Sequence, residues 1–226
     1  MNVKANLEKM LKTNGASLVG FSDVTSVPAG SRADLPSAIT IAVALDKDVV
    51  RTIQDAPTRE YYEEYKRINA LLDRLGILTA DFLRNAGYMA KVLPTTDVKS
   101  NDVLVTDFPH KTGGVLSGLG WIGKCALLIT RQYGSAVRLT TVFTDLLTDN
   151  SEPMKNLCGD CKECVSACPG NAIMGRNWSE GVDRSEIYDA FACQKAAHAQ
   201  AAKIDVKNTI CGVCMASCPW TKWYLK

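Results

Sequence analysis

No apolar run in this 226-residue sequence approaches the roughly 18 residues needed to cross a bilayer, so a helical membrane anchor is not expected. The start, Met1-Asn2-Val3-Lys4-Ala5-Asn6, lacks the apolar stretch of a secretory signal, which removes export by that route from the expected fates. An excess of one charge is also missing: 26 Lys and Arg stand against 24 Asp and Glu. Residues 1–150 carry 17 basic and 16 acidic side chains and residues 151–226 carry 9 and 8, so neither part is basic in bulk and a dedicated nucleic-acid domain is not indicated. No internal repeat appears outside the cysteine-rich part. What remains, 46% apolar and 22% charged residues, is ordinary globular material, enough for one large domain or a medium one with a small one.

Cysteine is what the chain has in excess. Eight of the nine cysteines fall in two runs near the C-terminus. Cys158, Cys161, Cys164 and Cys168, followed by Pro169, read C-x2-C-x2-C-x3-C-P, the bacterial two-cluster iron–sulfur pattern in which the fourth cysteine ligates the other cluster. Cys211, Cys214 and Cys218, followed by Pro219, repeat the last three ligands, and Cys193 upstream supplies the missing one. The swapped-ligand rule assigns Cys158, Cys161, Cys164 and Cys218 to one [4Fe–4S] cubane and Cys168, Cys193, Cys211 and Cys214 to the other. Zinc sites take their four ligands as two separated pairs, and disulfides have no use for the Cys-Pro endings. Cys125, the ninth, reads as a small buried hydrophobe behind Lys124. Clusters built on reduced thiolates make the cytoplasm the expected compartment.

The rest of the chain reads as α+β. Val3, Leu7, Met10 and Leu11 lie at helical spacing before Gly15. Residues 16–21 and 38–45 have strand length, the second so uniformly apolar that it is expected at the centre of a sheet. Residues 57–86 turn helical, with Gly76 a point of interruption. Strand-like segments follow at 89–93, 103–105, 126–130 and 137–143, without a regular βαβ repeat. Polar, turn-prone residues at 149–153 mark a boundary between a sheet domain, 1–150, and a two-cluster ferredoxin-like module, 151–226, with a helix from Glu186 to about Ala201 carrying Cys193.

Gly118-Leu119-Gly120-Trp121-Ile122-Gly123-Lys124, Leu127-Leu128-Ile129-Thr130, Val142-Phe143-Thr144-Asp145-Leu146 and the closing Cys218-Pro219-Trp220 together resemble epoxyqueuosine reductases and their relatives, the cobalamin-dependent reductive dehalogenases. Arg59-Glu60-Tyr61-Tyr62 resembles that family's Arg-Asp-Tyr-His. The resemblance spans most of residues 15–220. It implies an α+β domain distantly like flavin-using nitroreductases, holding a corrinoid beside the nearer of two cubanes. By the same resemblance Gly118, Gly120, Gly123 and Lys124 lie close to the organic cofactor, with Trp121 packed beneath it. Two departures stand out. The chain lacks the helical-repeat domain with which the tRNA-modifying enzyme helps grip RNA, so tRNA is not an expected partner. The family's aspartate lies fourteen residues before the Gly-Leu-Gly run, whereas Asp107 lies eleven before Gly118.

Asp107, His110 and Tyr61 are the candidate catalytic groups, and Lys111 a holder of an anionic substrate or cofactor phosphate. His198, set among alanines, reads as a helix-surface residue. The Asp-x-His-x-x-Gly motif that supplies a histidine to cobalt in some proteins is absent. Two functions follow. One is an enzyme that draws electrons from a carrier such as ferredoxin or flavodoxin, through two [4Fe–4S] clusters, to a corrinoid or flavin that reduces a small molecule. The other is an electron-transfer or activating protein that docks a partner, such as a corrinoid protein, and has no substrate of its own. A tRNA-binding reading would need Lys91, Lys99, Lys111 and Arg131 on one face.

Overall fold

The computed structural model describes residues 2–96, 104–148 and 151–226. The chain divides into two compact units, neither of them continuous: residues 1–44, 67–119 and 138–154 form the first, and residues 45–66, 120–137 and 155–226 the second. The boundary read at 149–153 adjoins the last of these crossings. Segments 45–66 and 120–137 were read as part of the sheet domain and instead belong with the cysteines.

The first unit is built on a four-stranded sheet in the order β1 (Leu18–Asp23), β2 (Ser37–Ala44), β6 (Val137–Thr144), β3 (Ala90–Val92). β1 pairs antiparallel with β2, Leu18 opposite Ala42, and β3 antiparallel with β6, Lys91 opposite Phe143. The uniformly apolar β2 is interior, as its composition requires: seven of its eight residues are buried. Helix α1 (Val3–Thr13) buries Leu7 and Leu11 and stops at Gly15, whose φ of +105° only glycine adopts freely.

Helix α3 (Arg59–Asn85) runs unbroken through Gly76. A Cβ there would stand 2.9 Å from Val92 Cγ1, so the glycine brings the helix close to β3 rather than interrupting it. Buried positions of the helix in this unit, among them Ile68, Leu72, Leu75, Thr79 and Leu83, follow the helical period that identified it in the sequence. Helix α4 (His110–Leu116) lies on the sheet through small residues: a Cβ on Gly113 would meet Thr40 Oγ1 at 2.2 Å. Beside it Phe108 and Phe143 pack edge to face at 4.9 Å within a cluster that includes Val24, Leu35 and Ala38.

The second unit has little sheet. The strand expected over 126–130 shortens to β5 (Leu128–Ile129), paired antiparallel with β4 (Trp121–Ile122). The remaining helices are short: α2 (Lys47–Arg51), α5 (Glu163–Ala167), α7 (Val213–Ser217) and α8 (Pro219–Tyr224) flank α6 (Ala190–Ala202). Helix α6 begins later than its expected Glu186, because Asp189 caps it by accepting from Phe191 and Ala192 N–H. No strand forms at Leu104 and Val105, where Leu104 has a φ of +50°; Val103 lies outside the described residues.

Candidate metal centre

Each cysteine run is a tight turn, a single helical turn and a Cys-Pro step. Gly159, after Cys158, and Gly212, after Cys211, take left-handed φ values, +49° and +81°, where a side chain would be strained. Cys161 and Cys211 each stand two residues before a helix, α5 or α7, that carries Cys164 or Cys214, and both helices end on an extended cysteine, Cys168 with ψ 113° and Cys218 with ψ 128°. A proline follows each, and Pro219 starts α8. The two runs are therefore one local structure written twice.

The Cys-Pro steps carry the last sulfur of each run away from its own turn. Cys158, Cys161, Cys164 and Cys218 line one cavity of about 200 Å3, bringing three thiols of the first run together with the last of the second. The Cys218 thiol interacts electrostatically with those of Cys158 and Cys164, while Cys193 interacts with Cys168 and Cys211. Gly170 permits the second grouping. A Cβ there would stand 2.7 Å from Ala196 Cβ, so the Cys-Pro-Gly segment lies directly on α6, the helix that carries Cys193. No three His, Cys, Asp or Glu side chains among the described residues converge on a single-ion site. Four thiols around a cavity suit a cubane, which is wider than the roughly 2.3 Å Zn–S shell of one ion, and the donor set fits [4Fe–4S].

Burial raises the thiol pKa values of Cys193, Cys211 and Cys218. Cys164 is pushed up further, first by its hydrogen bond with Cys125 and then by burial. Cys125 is buried, as read, but it is no isolated hydrophobe: it lines the cavity of Cys158, Cys161, Cys164 and Cys218. Its surroundings of neighbouring thiols and its burial hold its pKa well above the ordinary value.

Polar groups hold the backbone around the cysteines, and of these the sequence reading named Lys124 for another role and left out Asn156 and Thr221. Lys124, only 3% exposed, donates from Nζ to the carbonyls of Gly159 at 2.8 Å and Cys161 at 2.9 Å. Asn156 accepts from Cys158 N–H at 2.9 Å and donates to the carbonyls of Ile122 and Trp178 at 3.0 and 3.2 Å. An Asn two residues before a ligand is a common turn former, and that signal was in the sequence. Thr221, fully buried in α8, accepts from Ser135 N–H at 3.1 Å.

The groups expected to hold an organic cofactor are occupied otherwise. A Cβ on Gly120 would fall 2.0 Å from Ile129 O, and one on Gly123 2.4 Å from Ile129 Cδ1, so the space these glycines leave is filled by the facing strand β5. Trp121, buried, packs edge to face on Trp220 at 5.1 Å, and its Nε1 has no partner. Lys124 is turned to the cysteine turn, and Gly118, in the first unit, has a φ of +69° at the end of α4. The cradle read from this segment is thus the packing of a hairpin, and no fit to a macrocycle follows from it.

The candidate catalytic residues are divided between the units. Tyr61 is buried in the second, where a Cβ on Gly212 would approach its Cε1 to 3.0 Å, so it packs beside Cys211. Asp107 and His110 belong to the first. Asp107 is exposed. His110 has both ring nitrogens engaged: Nε2 lies 3.0 Å from Pro94 O, which can only accept, and Nδ1 lies 3.0 Å from Thr141 Oγ1. The network assigns the proton to Nε2 and makes the histidine a tie between β6 and the 94 turn. Lys111, half-buried, follows it on α4. His198 is exposed on α6, as read. Lys91 and Lys111 lie in the first unit and Arg131 in the second, while Lys99 is outside the described residues. No helix among the described residues is long and apolar enough to cross a membrane.

Comparison with known proteins agrees with this construction. Residues 157–221 match the family described as "4Fe-4S double cluster binding domain". An epoxyqueuosine reductase of Gloeobacter violaceus is 50% identical over 65 residues, 29% of this chain and 20% of that protein. An epoxyqueuosine reductase solved with an epoxyqueuosine-modified tRNA stem loop superposes with a TM-score of 0.66 at 19% identity, over 98% of this chain and 66% of that one. A reductive dehalogenase whose structure bears on B12-dependent dehalogenation gives 0.70 at 18%, over 93% of this chain and 31% of the other. The chain spans about a fifth of the length of the first of these relatives and about two thirds of the tRNA-bound one. The expectation against tRNA finds no support in a neighbour that was solved with it.

Proposed function

We propose that this iron–sulfur protein belongs with the epoxyqueuosine reductases and cobalamin-dependent reductive dehalogenases it resembles, and that it is a reductase fed by an external one-electron carrier. Cys158, Cys161, Cys164 and Cys218 hold one [4Fe–4S] cluster and Cys168, Cys193, Cys211 and Cys214 the other. When bound, the two clusters supply one-electron transfer between a donor and a corrinoid or flavin. The observation that carries the proposal is the grouping of thiols across the runs, three of the first run with the last of the second around one cavity.

The chain's own residues do the rest. Asn156 and Lys124 fix the backbone of the first turn, so its ligands are in place before iron arrives. Gly170 lets Cys168 reach the group on α6. The substrate belongs to the same proposal: a small molecule or a modified base of RNA, the latter entering through the neighbour solved with a tRNA stem loop.

Protein purified without oxygen should contain about eight iron atoms per chain and show a corrinoid or flavin band, or take up added cofactor with a spectral change. Zinc or cystines at the eight positions would refute the cluster reading. Full iron with neither organic cofactor favours the second reading, an electron-transfer protein without its own substrate. The filled glycine turn and the engaged Lys124 are the observations on its side. A reproducible stoichiometric redox partner in anaerobic pull-downs would support it.

A further inference from the structure

The turn between β4 and β5 presents two side chains to the cavity of Cys158, Cys161, Cys164 and Cys218, and neither is a ligand on the reading above. Lys124 brings an ammonium group into a buried position and binds it to the carbonyls of Gly159 and Cys161, inside the ligand turn itself. Cys125 brings a buried thiol into the lining of the same cavity as Cys164. A ligand sulfur bound to iron as a thiolate can only accept, so the S–H of Cys125 is the group that can donate.

We propose that Lys124 and Cys125 set the reduction potentials of the clusters, Lys124 by placing a buried positive charge at the first and Cys125 by donating an S–H bond to a ligand sulfur. The inference rests on the two-cluster reading. A [4Fe–4S] cluster that takes one electron from its carrier gains one negative charge and neither gains nor loses a bond. Net charge and hydrogen bonds to the sulfurs are among the terms that fix its potential. A fixed positive charge and a donor both favour the reduced state. Removing either makes reduction harder.

The test is an anaerobic redox titration of the loaded full chain, followed by electron paramagnetic resonance, with iron counted in every sample. Lys124→Gln should lower the midpoint of one cluster by a tenfold change in its reduction equilibrium, about 59 mV for one electron. Lys124→Arg, which keeps the charge, should restore most of it. Cys125→Ala should lower a midpoint by less, and Cys125→Ser, which keeps a donor, should not. If Lys124→Gln fails to load iron, Lys124→Arg and the Cys125 pair still read the effect. Full iron with unmoved midpoints in both Lys124→Gln and Cys125→Ala overturns the inference. So does a loss of about four irons in Cys125→Ala and Cys125→Ser alike, which would make Cys125 a ligand. Wild-type protein that takes up no iron would instead defeat the two-cluster reading on which the inference stands.

Discussion

Three thiols of the second unit, those of Cys193, Cys211 and Cys218, are protonated more tenaciously in the fold than in water, and this has a sign that can be measured. Cys193, Cys211 and Cys218 have pKa values raised by burial above their ordinary 9.0. A group whose pKa is higher in the folded state contributes stability that is complete below its unfolded value and lost as pH rises through the folded one. Iron-free protein should therefore lose thermal stability above about pH 9, while loaded protein, whose thiols are already thiolates, should not share that dependence; melting curves of both forms across pH 7–11 check it. Asn156 gives a second prediction at this scale. Replacing it by Ala strands the Cys158 N–H and two carbonyls, costing about 1 kcal/mol or more for each group that water does not reach. Asn156→Ala should lower the melting temperature of loaded protein and speed bleaching of one cluster in air, with Asn156→Asp, which keeps the acceptor for Cys158, intermediate. His110 shows why single residues mislead. In the sequence it was a catalytic candidate beside Lys111, because its pKa suits proton transfer; in the fold Pro94 and Thr141 use both nitrogens. Those partners lie 16 and 31 residues away, and nothing local to His110 points to them.

Elements whose signal is a period were legible, and elements made by close approach were not. The apolar stripe of α3 and the unbroken apolar run of β2 are properties of ten or more and of eight consecutive residues, so they survive any tertiary context. Gly76 looked like a break because glycine is a poor helix former, costing about 1 kcal/mol against Ala. The helix keeps it because Val92 takes the space its side chain would fill. Gly120 and Gly123 were read toward a ligand for the same reason, missing side chains, and are filled by Ile129 across the hairpin. Glycine announces that something comes close without saying what. Gly170 supplies the test at this scale. Gly170→Val would drive a branched side chain into Ala196 and the Ala192 carbonyl, 2.7 and 3.0 Å from the Cβ position, and push the Cys168 segment off α6. Iron content should fall by about four atoms per chain with the other cluster retained. Unchanged iron would show that Cys168 reaches its cluster without this packing.

In the molecule as a whole, the proposed pairing has the two runs exchange their last ligands, so damage in one should appear in the other. Cys218→Ala should empty the cluster whose remaining ligands are Cys158, Cys161 and Cys164, and Cys168→Ala the one built on Cys193, Cys211 and Cys214. Iron counting with spectroscopy on the two single variants checks this, and loss confined to the mutated run in each would refute the exchange. The sequence by itself determined where the two cysteine turns fall and which thiols are candidate donors, because cysteine spacing and a following proline are local facts, and a three-residue step between thiols constrains the turn wherever it sits. It also determined the α+β class, through periodicity. The tertiary structure alone decided which segments join the cysteine unit, what the glycine turn packs against, and that Lys124 and Cys125 face the metal cavity. Those facts depend on residues tens of positions apart meeting at sub-ångström tolerance, and no pattern within one segment encodes its partner.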